Sequence, residues 1–165
     1  MASLQAGKDL AQQPLSGAPA FCVGAVANPG AADVERELRR MEDKIAAGAR
    51  FFQTQAVYDS EQFARFMAQA QSFGVPVLAG SILLRSAAMA RRLQATLPGL
   101  AIPEPLLREL EGAADPGQKG VEIAARLLRE IRELCQGVHL MTIGQEHRIP
   151  QILHAAGLLP QAPGR

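Results

Sequence analysis

The sequence predicts an α/β fold, with parallel strands joined by helices in about four strand–helix units, half of an eight-unit (β/α)8 TIM barrel. Three observations predict it. Short all-apolar runs alternate with stretches of helical periodicity, the pattern of a parallel sheet with right-handed crossovers. One run, FFQTQAVYD from Phe51, opens as a buried strand and turns polar only at its far end. Ligands of α/β proteins gather at the carboxyl ends of parallel strands. Residues 2–10 have modest helical character and break at QPLSG, so the chain opens on what reads as the tail of a helix. A small open sheet also fits four units; the shortened first helix favours the incomplete barrel.

The run FCVGAV, residues 21–26, suits a strand buried on both faces, and ANPG closes it as a turn. Residues 31–48 form a helix. Asp33 is placed to cap it, Val34, Leu38, Met41 and Ile45 recur at helical spacing, and Gly48 stops it. The Phe51 strand follows. Its Gln53 and Gln55 are candidate ligand groups, although amides also cap ordinary strand ends. Ser60 is placed to cap the next helix, with Phe63, Phe66, Met67 and Ala70 inward, and Gly74 ends it. VPVLAG, residues 75–80, is the next strand, with Pro76 tolerated at its start. Residues 81–85 are its exit loop, and Ser86 caps a helix to about Leu97. A short helix begins at IPE, with Pro103 early in it. Residues 120–134 form a long helix with Ile123, Leu127, Leu128 and Ile131 inward. A last strand, residues 138–142, leads through GQE to a terminal helix closed by Gly157.

At 165 residues the chain suits one domain. Hydrophobic residues make up 48% and charged ones 20%, a globular composition. A net charge of +1 with interspersed signs gives no case for nucleic acid. The apolar runs are too short to cross a bilayer, and the first residues lack a signal-peptide core. A cytoplasmic location, with no membrane partner, is the expectation. Cys22 and Cys135 have no metal-ligand spacing and read as reduced core thiols.

Most catalytic motifs are absent. There is no GxGxxG, no Walker run, no HExxH and no GxSxG. His139, His147 and His154 do not share one local face, so no metal site is expected. His139 lies within a strand and reads as a satisfied core histidine. What remains is a rim of strand-end groups: Asn28, Gln55 with Asp59, Arg85 with Ser86, and Thr142 with Gln145. Their neutral hydrogen bonding suits a planar heteroaromatic ligand with amide edges better than phosphate hydrolysis.

The blocks FCVGAVANPG, ELRRMEDKIAAGARFFQTQAVYD, VPVLAGSILLRS and GVHLMTIG, in this order, resemble the C-terminal half of the methylenetetrahydrofolate reductase family. The most specific is Lys44-x-x-x-Gly48-Ala49 followed by Thr54-Gln55. The resemblance covers residues 21–158. It implies that residues 1–20 are the remnant of a preceding helix and linker and that residues 159–165 are a disordered tail. The four strands would be the fifth to eighth of a flavin-dependent barrel, which uses FAD and a nicotinamide, NADH or NADPH, to reduce methylenetetrahydrofolate.

The resemblance also implies roles. Gln55, with its neighbour Thr54, would meet the folate substrate. Lys44 would contact the FAD phosphates, Glu37 would stand near the FAD, and Asn28 would lie by the flavin's ribityl or adenine side. The chain departs from the family at Met89, where several members have a second pterin-binding Gln, and at Leu93, where some carry a stacking Phe. Gln145 replaces a folate-facing Arg, and Asp43 stands where a second basic residue is common. The family's catalytic acids belong to the first strand and the end of the fourth, so no catalytic residue is assigned here. Ring opening needs such an acid. The expectation is a half that is inactive alone, or else a non-catalytic pterin-binding or subunit-assembly module. Another barrel enzyme without flavin is a further reading. A half barrel exposes two sheet edges and an apolar face, so a homo-oligomer, or a partner supplying the other half, is expected.

Overall fold

The computed structural model describes residues 2–159. A single turn of helix, α1 (Ala2–Gln5), precedes four strands, β1 (Gly24–Ala27), β2 (Phe51–Ala56), β3 (Val77–Ile82) and β4 (Gly137–Met141). They form one parallel sheet in the order β1-β2-β3-β4. Helices α2 (Val34–Ala46) and α3 (Ser60–Ala70) make the first two crossovers. The third crossover holds α4 (Ala87–Thr96), α5 (Glu104–Glu111) and α6 (Pro116–Ile131), and α7 (Ile149–Ala155) follows β4.

Local chemistry sets the helix starts. Asp33, Asp59, Ser86 and Asp115 each accept the backbone N–H three residues on, at 2.8 to 3.1 Å. Each satisfies one donor that the helix itself leaves free. Asp59, not Ser60, is therefore the cap of α3, because Ser60 already has helical geometry. The long helix begins at Pro116 rather than at Gly120, since Asp115 and the proline together form a strong start. Gly48, at φ 102°, takes the left-handed turn that lets the chain leave α2 for β2.

The helices pack against one face of the sheet. Ala27, Phe52, Val77 and Ala79 meet Met41, Phe63, Phe66, Leu128, Ile131 and Ile152 there. A second cluster holds Tyr58, Leu84 and Ala90 against α5 and α6. The opposite face presents Val26, Phe51, Gln53, Leu78, His139 and Met141, which belong to neither cluster. On it, Phe51 lies over Gly24 and Leu78 over Gly137. Among the described residues no layer covers this face.

The structure corrects several expectations. The first strand starts at Gly24, not at Phe21, and is not buried on both faces: Phe21 is 43% exposed and Val26 53%. β1 is an edge strand with helices on one side only. Cys22 precedes it and is exposed, so only Cys135 is a core thiol. His139 is half-buried on the uncovered face, and its imidazole makes no hydrogen bond to the described residues, so it is not a satisfied core histidine. Ser81 and Ile82 belong to β3, because their register with Leu140 and Met141 extends the strand. The initial helix spans only Ala2–Gln5 and buries nothing. Leu159 sits in an exposed bend, and residues 160–165 of the expected tail lie outside the described residues.

Candidate functional site

Two clusters stand at the carboxyl ends of β1 and β2. The first unites Asn28, Glu37 and Lys44. Arg50 donates its N–H to the Val23 carbonyl (2.7 Å), so odd-numbered residues of β1 face β2. Val26 and Asn28 then turn their backbone groups to the open edge, because strand groups alternate in direction. Helix α2 caps that edge. Lys44 donates to the Val26 carbonyl (2.6 Å), and Glu37 accepts the Asn28 N–H (3.1 Å). Glu37 is 6% exposed and lies 3.6 Å from Arg40 and 3.9 Å from Lys44. Asn28 also closes a tight turn by accepting the Gly30 N–H (3.0 Å). Two cations against one carboxylate leave one net positive charge beside the exposed Lys44 and Arg40 side chains. Such a charge suits a phosphate.

The second cluster is a β-bulge. Phe52 pairs with Val77 and Gln53 with Leu78, but the next pair is Ala56 with Gly80. Thr54 and Gln55 together therefore oppose Ala79 alone. Thr54 is 4% exposed. Its hydroxyl accepts the Gly80 N–H (2.9 Å) and donates to the Gln55 carbonyl (2.7 Å), while Gly80 accepts the Val57 N–H (2.9 Å). A Cβ on Gly80 would overlap the Thr54 carbonyl oxygen, so the close approach requires glycine. Gln55 is left exposed at the end of β2.

His139 joins Gln55 through the register. Ala56 pairs with Gly80 and Gly80 with His139, so the imidazole stands level with the end of β2. The carbonyl oxygens of Thr54 and Gln55, not a side chain, fill the space over Gly80 between them. Periodicity could not place His139 there, because which face a strand residue takes depends on pairing.

Other rim residues serve local structure. Asp59 and Ser86 are helix caps, and Arg85 is exposed beside them. Beyond β4, Glu146 accepts the Gly144 N–H (2.9 Å) and the Thr142 hydroxyl (3.3 Å). Hydrogen bonds from its own N–H and that of Gly144 hold its carboxyl below the usual glutamate range. The turn it braces puts Ile143 at φ 47°, an uncommon place for a β-branched residue, with the side chain 53% exposed. Gln145 accepts from Arg148 Nε (3.2 Å). Among the described residues no group of three or more His, Cys, Asp or Glu could hold a metal ion, and no helix is long and apolar enough to cross a membrane.

A sequentially ordered parallel sheet, with helices on one face and polar groups at its carboxyl ends, defines a TIM-barrel-like α/β fold. The family model for methylenetetrahydrofolate reductase matches residues 12–157, and the chain belongs to that family. It is 29% identical over 146 residues to a probable methylenetetrahydrofolate reductase (NADPH) of Caenorhabditis elegans, an alignment covering 83% of this chain and 22% of the relative. It is 25% identical over 163 residues to methylenetetrahydrofolate reductase 2 of Schizosaccharomyces pombe, covering 84% and 25%. The chain thus spans about a quarter of the length of these relatives. Among solved structures, a Clostridium thermocellum protein described as binding two copies of 5-methyl-5,6,7,8-tetrahydrofolic acid superposes with a TM-score of 0.61 at 24% identity. That match covers 82% of this chain and 52% of the other, and it speaks for the fold.

Proposed function

We propose that this chain supplies the folate-facing half of an FAD-dependent reductase that converts 5,10-methylenetetrahydrofolate to 5-methyltetrahydrofolate. One observation supports this most: in a member of that family, the bulge in β2 leaves Gln55 exposed at a strand's carboxyl end. The amide edge of Gln55 is suited to the amide-like edge of a pterin, and Gln53 and His139 lie on the uncovered face. Lys44 and Arg40, balanced by Glu37, would hold the FAD phosphates, with the Asn28 turn beside them. When bound, FAD passes reducing equivalents from NADH or NADPH to the folate. This chain's residues bind and orient; no catalytic acid is assigned among them. The four strands represent the fifth to eighth of the barrel. A partner half, or a second copy of the chain, would cover the uncovered face and the two sheet edges.

A second reading draws support from that face itself. Among the described residues, the side chains it presents include the Gln53 amide and an imidazole and no carboxylate, which suits a non-catalytic pterin-binding or subunit-assembly module.

The test is to incubate the purified chain with FAD, dialyse it, and record the visible spectrum, then titrate 5-methyltetrahydrofolate by calorimetry. Retained flavin together with folate binding is the result expected for the reductase. Folate binding without flavin favours the module. A folded chain that takes neither refutes the reductase reading and pterin binding, and leaves subunit assembly alone standing.

A further inference from the structure

We infer that Thr54 is a positioning residue: its buried hydroxyl holds the β2 bulge that aims Gln55 at the ligand. The inference rests on the folate reading above and assigns Thr54 a task other than ligand contact.

A regular strand alternates its side chains between faces, and every backbone group pairs with the neighbouring strand. Between Gln53 and Ala56 this order breaks, since two residues of β2 stand against one of β3. A bulge disrupts the ladder locally and re-aims the side chains around it. The Thr54 hydroxyl repairs the break from both sides. It accepts the Gly80 N–H at 2.9 Å and donates to the Gln55 carbonyl at 2.7 Å. One oxygen thus ties the backbone of Gln55 to β3. At 4% exposure Thr54 has little surface to offer a ligand, whereas Gln55 beside it is exposed. The two adjacent polar residues divide the work: one fixes the backbone, and the other presents the amide.

Gly80 is the matching half of the device. A Cβ there would overlap the Thr54 carbonyl oxygen and stand 3.0 Å from that of Gln55. The bulge and the glycine require each other.

The test uses the full chain, with 5-methyltetrahydrofolate as probe and calorimetry as readout. Thr54→Val keeps the shape and removes the hydroxyl. It should weaken binding about tenfold, in line with one well-placed hydrogen bond at Gln55 being lost. Thr54→Ser keeps the hydroxyl and should bind within about twofold of wild type, the scale of a change that leaves that bond intact. The discriminating step is the double mutant. In a Gln55→Ala background, Thr54→Val should cost no further affinity, because Thr54 acts only through Gln55. A merely structural role would weaken both backgrounds equally and overturn the inference, as would a Thr54→Val chain that binds like wild type. Should Thr54→Val not fold by circular dichroism, Thr54→Cys, nearly isosteric with a weak acceptor, takes its place under the same criteria. A wild-type chain that binds while Gln55→Ala binds equally well overturns this inference and leaves the folate reading standing. A folded wild-type chain with no affinity for the probe overturns the folate reading, and the inference with it.

Discussion

Replacing Glu37 by Ala should destabilise the fold by about 2–4 kcal/mol. Glu37 lies in the first turn of α2 yet is 6% exposed, because its carboxylate reaches across to the open edge of β1. The hydrogen bond it accepts from the Asn28 N–H involves a charged partner, worth about 1.5–3 kcal/mol. Its place near the helix N-terminus adds about 0.3–1 kcal/mol. The ion pairs to Arg40 and Lys44 add about 0–1 kcal/mol, because those side chains are 55% and 37% exposed. Glu37→Gln keeps an acceptor for Asn28 and loses the charge, so it should cost about half as much, given the lower value of a neutral bond. Urea unfolding followed by circular dichroism measures both; at a slope of about 2 kcal/mol/M, the midpoint of the Ala variant falls by roughly 1–2 M. An Ala variant as stable as wild type would refute the reasoning. So would a Gln variant as damaged as Ala, since charge rather than the hydrogen bond would then hold the edge.

Tyr58 is buried, and its hydroxyl donates to the Ile82 carbonyl (2.8 Å); burial pushes its pKa above the ordinary tyrosine value. The folded state therefore favours the protonated phenol. Its contribution is complete below about pH 10, where unfolded tyrosine titrates, and it declines as pH rises beyond that. Because the chain has one tyrosine, the phenolate absorbance band should appear only with unfolding; a reversible rise near pH 10 in the folded protein would contradict this. Cys22 is exposed, whereas Cys135 is buried and its thiol pKa is raised by that burial. A thiol reagent should therefore label Cys22 at once and Cys135 only in denaturant; rapid labelling of both would show that the core around Cys135 opens readily.

Sequence alone determines the alternation of strands and helices. Asp33, Ser86 and the apolar spacing of α2 and α3 are local signals, because capping and helical periodicity act within a few residues. The motif spanning Lys44 to Gln55 was legible in the same way, as residue types in a fixed order, and it led to the family. Pairing across the sheet was not legible. The bulge exists only where β2 meets β3, so neither the engagement of the Thr54 hydroxyl nor the need for glycine at position 80 shows in either strand by itself. His139 read as a core residue because a strand's pattern does not say which of its two faces will be covered. Asp59 read as a rim acid until the start of α3 claimed its carboxylate. Lys44, Glu37 and Asn28 are separated along the chain, and they meet because an edge strand leaves its outward backbone groups unpaired and α2 lies close enough to satisfy them. Local order follows from local chemistry, but side-chain aim and backbone satisfaction depend on neighbours distant in sequence, and the tertiary fold alone supplies those.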